Sequence, residues 1–358
     1  MSRIMYGVSG EGSGHSSRAL EMGRHLLAQG HQLKMVSYDR GFRNLSPHFD
    51  VLEIEGLHIV SENNRVRPLR TLWHNLRRAP VALRRLRVLL ACFRSFKPEF
   101  VITDFEPSTA WIARINSIPL ISLDNQHRMR YMQYTSPRQL WFSRALATLL
   151  IKLMVPPPTY ALATTYYYGQ PKNERTFLFP PILKREILAC HPTRGNHHLV
   201  YVTSHFEDLL AVLKAFDQQQ FIVYGANSTG VSDNLTFKPF SVVGFLQDLE
   251  SCRSVIATAG FTLISEAIYL GKPYMAMPIL GQFEQQLNAL CLEELGYGIN
   301  ASSINVATLT HFMDVLPELE LRVREYALAH KISDMDQANR EIRDKLDELL
   351  SVSAIEGR

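Results

Sequence analysis

Short apolar runs alternate with stretches of helical periodicity along almost the whole chain. Ile4-Met5-Tyr6-Gly7-Val8 is unbroken by polar residues and reads as a strand buried on both faces, and similar runs follow at residues 32–38, 51–54, 100–103, 119–123 and 160–165. The second half repeats the theme at residues 198–203, 221–224, 240–243, 254–258 and 274–278. Between them, periodic segments predict helices at 18–29, 107–116, from about Asp208, from Thr262 to Leu270, at 318–331 and at 339–350. Strands that alternate with helices build parallel sheets, so an α/β chain with two doubly wound domains is expected. Pro180-Pro181-Ile182-Leu183 stiffens a crossing segment and sets the domains at 1–180 and 181–350, with the final helix expected to return to the first.

The polar residues that break this pattern gather after strands, where open α/β sheets bind ligands. After the first strand comes Gly10-Glu11-Gly12-Ser13-Gly14-His15. Its glycines permit close approach by a ligand, but His15 stands where a dinucleotide fingerprint needs its third glycine, so the nicotinamide reading is set aside although Asp39 mimics the ribose acid. His15 has the right chemistry for a base near neutral pH. Asp104-Phe105-Glu106-Pro107 and Asp124-Asn125-Gln126-His127 each follow a strand and are expected to converge with His15 on one sheet edge. In the second half, Thr203-Ser204 ends a strand and offers donors to a phosphate, and Gly244-Phe245-Leu246 reads as a tight turn. Ala259-Gly260-Phe261-Thr262 follows another strand and opens a helix, with Thr262 as the expected cap and free N–H groups facing an anion. Gly281 to Asn288 is dense in amides that suit sugar hydroxyls.

Charge adds one feature. Residues 1–180 hold 24 Lys and Arg against 12 Asp and Glu, whereas residues 181–358 hold 14 against 22. Ten of the cations fall in 65–97 without an acid, where Leu83, Leu86, Leu90 and Phe93 form one apolar stripe. This segment suits a solvated surface helix or contact with an anionic membrane surface. Residues 137–155 carry a second stripe, Phe142, Leu146, Leu149 and Leu153. That stripe fits a helix packed into the core, and with Trp141 and the flanking Arg138 and Arg144 it would also suit shallow insertion into an anionic bilayer surface. No nucleic-acid module accompanies the charge. The four cysteines show no C-x-x-C pair, and Ser333 to Asp336 reads as a helix cap, so neither zinc nor another metal is expected. With no secretory pattern at the start and no apolar run long enough to span a bilayer, a cytoplasmic location is expected, with peripheral contact at the membrane. Residues 355–358, Ile-Glu-Gly-Arg, read as an appended protease-recognition tail.

Together, the glycine loop ending in His15, Asp104-Phe105-Glu106-Pro107, Leu123-Asp124-Asn125-Gln126-His127, Pro180 to Leu183 and the 258–289 stretch resemble the GT-B nucleotide-sugar glycosyltransferases of family 28, the MurG-like group, in a bacterial and archaeal subgroup. The resemblance implies two Rossmann-like domains facing across a cleft, with the donor held by the second. It implies that Gly260, Thr262 and Ser204 hold a diphosphate, the Phe245–Leu246 backbone faces uracil, Glu266 binds ribose, and Gln282, Gln285 and Gln286 serve the donor sugar. It also implies metal-independent catalysis with UDP-sugar as co-substrate. The expected activity is hexosyl transfer, with inversion, to a hydroxyl on a lipid-linked or cell-envelope glycan precursor. His15 is the expected base, Asp104 its partner or substitute, and Glu11, Arg18, Glu106 and His127 the acceptor-side groups. A UDP-sugar epimerase and a non-catalytic nucleotide-sugar binder at the membrane are the competing readings.

Overall fold

The computed structural model describes residues 1–56, 61–62, 65–66, 68–167, 169–201, 207–226, 228–332 and 337–356. The strands are β1 (Arg3–Val8), β2 (Gln32–Ser37), β3 (Val51–Glu53), β4 (Ser61–Glu62), β5 (Arg65–Val66), β6 (Phe100–Asp104), β7 (Leu120–Asp124), β8 (Tyr160–Thr164), β9 (Thr176–Phe179), β10 (His197–Tyr201), β11 (Gln220–Tyr224), β12 (Gly230–Ser232), β13 (Leu235–Lys238), β14 (Ser254–Thr258), β15 (Tyr274–Met277) and β16 (Gly298–Asn300). The helices are α1 (Gly14–Ala28), α2 (Asp39–Leu45), α3 (Pro68–Phe96), α4 (Pro107–Ile115), α5 (His127–Tyr131), α6 (Trp141–Met154), α7 (Arg185–Leu188), α8 (Glu207–Lys214), α9 (Val242–Ser251), α10 (Phe261–Tyr269), α11 (Phe283–Glu294), α12 (Val306–Ala329) and α13 (Arg340–Glu356).

They form two compact units: Met1–Val60 with Arg67–Lys184 and Asp336–Arg358, and Ser61–Val66 with Arg185–Met335. The first unit is built on a parallel sheet of order β3-β2-β1-β6-β7-β8-β9. Strand order reverses between β1 and β6, where Val8 lies beside Asp104. The second unit repeats the plan as β12-β13-β11-β10-β14-β15-β16, parallel except for the β12–β13 edge pair, and reverses between β10 and β14. Both are therefore Rossmann-like sheets, a topology in which ligands bind at the carboxyl ends of the strands beside the reversal.

Strand alternation sorts the first core into two layers. Ile4, Tyr6 and Val8 face a cluster containing Met22 and Leu26 of α1 and Ile342, Leu346, Leu349 and Leu350 of α13. Met5 points the other way, into Leu89 and Phe93 of α3 and Ile112 of α4. The last helix is thus part of the first unit's core, and His25 Nε2 lies 3.0 Å from the Asp347 carboxylate. In the second unit Val200, Val223, Ile256 and Met275 pack with Leu309, Phe312 and Leu316 of α12.

Several elements differ from the sequence pattern. The run 240–243 is not a strand: Ser241 accepts a hydrogen bond from the Gly244 N–H at 3.2 Å and starts α9, leaving Val242 and Val243 exposed. Pro317 does not delimit α12 but sits inside it, between the buried Leu316 and Leu319. On α3 the buried face is Leu89 and Phe93, with Leu83 and Leu86 exposed. The stripe of α6 faces outward rather than into the core, and only Ile151 of that helix is buried. Among the described residues no helix is long and apolar enough to cross a membrane.

Leu346 of α13 is fully buried against strands from the far end of the chain. Leu346→Ala is therefore expected to lower the stability of the first unit by about 2–5 kcal/mol, measured by denaturant unfolding. A variant as stable as wild type would mean that α13 is only loosely applied.

Candidate active site

The polar edge of the first sheet is assembled by its strand order. α1 begins at Gly14, four residues before the sequence pattern placed it, so His15 lies in its first turn and Arg18 follows one turn later on the same face. Gly12 takes φ 74° to make the entry, and a side chain at Gly10 would collide with the Tyr38 carbonyl. Asp104 ends β6 beside β1 and is fully buried. A buried carboxylate needs partners. Arg18 supplies two, Nε to Oδ2 at 2.9 Å and an Nη to Oδ1 at 2.7 Å. His15 Nδ1 lies 2.6 Å from Oδ1. Its proton is best placed on Nδ1, donating to the carboxylate, which leaves Nε2 as the nitrogen that can receive one. The other Nη of Arg18 donates to Asn125 Oδ1 at 3.2 Å.

The turn after Asp104 is fixed by its own chemistry. Phe105 takes φ 57°, and the Thr103 hydroxyl donates to the Glu106 carbonyl at 2.9 Å while accepting from the Glu106 N–H at 3.0 Å. Glu106 then caps α4, accepting from the N–H groups of Ser108 and Thr109, each at 2.7 Å. This corrects its expected acceptor-side place: the carboxylate is buried in the cap, and burial raises its pKa above the ordinary range. His127 is drawn inward as well, with its Nε2 enclosed and without a hydrogen-bond partner among the described residues. It is fully buried, its Nδ1 lies 2.7 Å from Asp124 Oδ2, and Tyr131 stacks on its ring at 5.6 Å. Burial alone would raise the Asp124 carboxyl, but His127 and the more distant Arg18 hold it below the usual range. Arg18 is buried too and orders Asp104 and Asn125 rather than facing solvent. Of the four acceptor-side residues only Glu11 is exposed.

In the second unit, Gly260 rather than Thr262 is the N-cap of α10 and, as a glycine, has no side chain of its own to cap it; Thr262 lies inside its first turn. Gly260 has φ −73°, open to any residue, and among the described residues no atom lies within 4 Å of where its Cβ would stand. The Asn288 side chain donates to the Ala259 carbonyl at 2.8 Å and ties α11 to this turn. Gln285 is occupied locally, donating to Gln282 Oε1 at 3.0 Å and accepting from the Ile279 N–H at 3.1 Å. Gln286 differs: its Oε1 is enclosed and has no hydrogen-bond partner among the described residues. Glu266 is buried on α10. Ser204 lies outside the described residues.

The Phe245–Leu246 segment is helical, and the Phe245 N–H bonds to the Ser241 carbonyl at 2.8 Å, so it cannot present a turn to a base. Its ring instead joins a cluster with Tyr201, Tyr224 and Phe240, in which Phe240 is well exposed. Asp248 anchors the cluster, accepting from Tyr224 Oη at 2.6 Å and from Lys238 Nζ at 2.7 Å. Tyr201 and Tyr224 end β10 and β11, which puts the cluster on the carboxyl edge. These residues were not singled out in the sequence, although an aromatic at two consecutive strand ends is a readable signal.

The profile of "Glycosyl transferase family 1" matches residues 2–317. An "Uncharacterized glycosyltransferase" of Methanosarcina mazei is 26% identical over 379 residues, covering 96% of this chain and 98% of its own. Among solved structures, CalG4, the calicheamicin glycosyltransferase, superposes with a TM-score of 0.67 at 16% identity, covering 98% of both chains. The glycosyltransferase VinC, solved in complex with DTDP, gives 0.65 at 14%, covering 98% of this chain and 99% of its own. At these identities the two structures show a shared fold.

Asp124 offers a test of the buried polar edge. Because its folded pKa is depressed, its stabilisation is complete above the unfolded value near ~3.9 and is lost as pH falls through the folded value. Asp124→Asn is expected to cost about 1–3 kcal/mol at neutral pH. That deficit should close as pH drops below about 4, measured by urea unfolding across pH. A deficit independent of pH would contradict the ionised pairing.

Proposed function

As the chain belongs to glycosyl transferase family 1 and is a glycosyltransferase, we propose that it moves a hexose from a UDP-sugar to an acceptor hydroxyl by a single inverting displacement. The observation that carries this is the chain of contacts from Arg18 through Asp104 to His15 at a sheet's carboxyl edge. In this mechanism His15 Nε2 takes the acceptor hydroxyl's proton as the oxygen bonds to the anomeric carbon. The bond from that carbon to the diphosphate oxygen breaks, and its electron pair leaves with UDP. Asp104 acts by orienting the imidazole, since its complete burial keeps it from the acceptor.

On the donor side, the start of α10 at Gly260 would offer backbone N–H groups and a positive dipole end to the departing diphosphate. Gly260 and Thr262 would line it. The nucleobase would stack on Phe240, replacing the Phe245–Leu246 backbone as its expected partner. Glu266 would meet the ribose, and the unpartnered Gln286 Oε1 would receive a sugar hydroxyl, with Gln282 and Gln285 shaping the turn beneath it. VinC, crystallised with DTDP, supports a pyrimidine diphosphate as the nucleotide. Because helix-start donors would serve the leaving group, the proposed reaction uses no divalent metal. A lipid-linked or cell-envelope glycan precursor is the proposed acceptor class, with Glu11 as the exposed group beside His15.

UDP, UDP-sugars and dTDP are to be screened by thermal shift, followed by assays of UDP release. Stabilisation by a uridine compound, UDP release that depends on an added glycan acceptor, and insensitivity to EDTA are expected. Sugar conversion without acceptor would instead make the protein an epimerase, and binding without turnover a non-catalytic binder. Gly260→Leu should fold normally yet lose about tenfold or more in UDP affinity, because its side chain enters the space assigned to the diphosphate. Unchanged affinity would displace the donor from this helix start.

A further inference from the structure

α6 is folded with its apolar side outward. Trp141, Phe142, Leu146, Leu149, Leu150 and Leu153 are between 44% and 68% exposed, and Ala145 on the same face is also exposed. The face turned inward holds Ser143, Ala147 and Thr148, with Ile151 and the following Val155 buried. The helix is firmly seated without its outer face: Val155 belongs to the core shared by α3 and α4, and Trp111 Nε1 donates to the Leu153 carbonyl at 2.9 Å. Ordinary amphipathic packing would reverse this orientation.

Charge identifies the occupant. No Asp or Glu occurs between Asn125 and Asn173, a stretch that contains Arg128, Arg130, Arg138, Arg144, Lys152 and Lys172. A groove of about 550 Å³ beside the apolar face is lined by Arg138, Trp141, Arg144, Leu149 and Lys152 among others, with no carboxylate. Arg144 is braced over the Tyr134 ring at 4.7 Å. An unbroken apolar face bordered by one sign of charge, with Trp at its end, matches the chemistry of a bilayer interface rather than the mixed polar rim of a protein partner. We propose that α6 docks the protein on an anionic phospholipid surface, lying along it with Trp141 to Leu153 entering the acyl boundary and Arg138, Arg144 and Lys152 meeting lipid phosphates. No helix among the described residues crosses a membrane, so the contact would be peripheral. The inference is independent of the donor reading.

Flotation with vesicles of equal parts phosphatidylcholine and phosphatidylglycerol, against phosphatidylcholine alone, tests it. The wild-type chain should float with the mixed vesicles only. The Phe142→Ser/Leu149→Ser and Arg138→Glu/Lys152→Glu variants change exposed side chains and should keep the wild-type melting temperature, yet each should lose about tenfold or more in vesicle binding. Wild-type protein that stays unbound, or variants that float undiminished, would overturn the proposal. So would a wild-type dimer that the serine variant dissolves, since the apolar face would then belong to a second copy.

Discussion

The burial of Asp104 is the constraint on which the first unit's chemistry rests. A carboxylate at zero exposure is costly unless its charge is paired and its oxygens are bonded, and Arg18 satisfies both demands from one turn into α1. The strand order makes this possible, because the reversal between β1 and β6 sets the end of one strand beside the loop that follows the other. His15 receives what remains of the carboxylate's capacity. Its imidazole is oriented by a group that is itself held rigidly, and Phe105 with φ 57° and the Glu106 cap of α4 hold the far side of the same turn. The proposed base is thus positioned by the fold, on the first turn of a helix.

The second unit solves a different problem with the same topology. In the proposed reaction its helix start would receive a departing anion rather than satisfy an acid of its own. α10 starts on Gly260, which has no side chain of its own to cap it, Asn288 pins the preceding carbonyl, and Gln286 keeps an enclosed oxygen without a partner among the described residues. An enclosed oxygen without a partner is costly in a folded protein, and the proposed reaction gives this one a sugar hydroxyl. In the proposed reaction this unit discharges the nucleotide and the first activates the acceptor.

Much of this was legible in the sequence where local and global signals agree. Continuous apolar runs ending in Gly10-Glu11-Gly12, Asp104 or Ala259-Gly260 mark buried parallel strands, and the structure has a strand at each of them. Side-chain direction was not legible. Glu106 and His127 stand in polar clusters beside His15, yet one caps a helix and the other is sealed against Asp124, which depends on φ at Phe105 and on three-dimensional packing. The run at 240–243 shows why β-branched residues mislead: Ser241 as a cap outweighs the strand preference of two valines. For α6 both a core-facing and a bilayer-facing stripe were open, since periodicity reveals an apolar stripe but not which way it faces.

The central claim is that His15, held through Asp104 by Arg18, removes the acceptor's proton during sugar transfer. The most direct measurement compares acceptor-dependent transfer by wild type and His15→Ala, with UDP binding by thermal shift recorded on the same samples. Transfer should fall about a hundred- to ten-thousand-fold while UDP stabilisation stays unchanged. A His15→Ala enzyme that transfers within a few-fold of wild type would contradict the account.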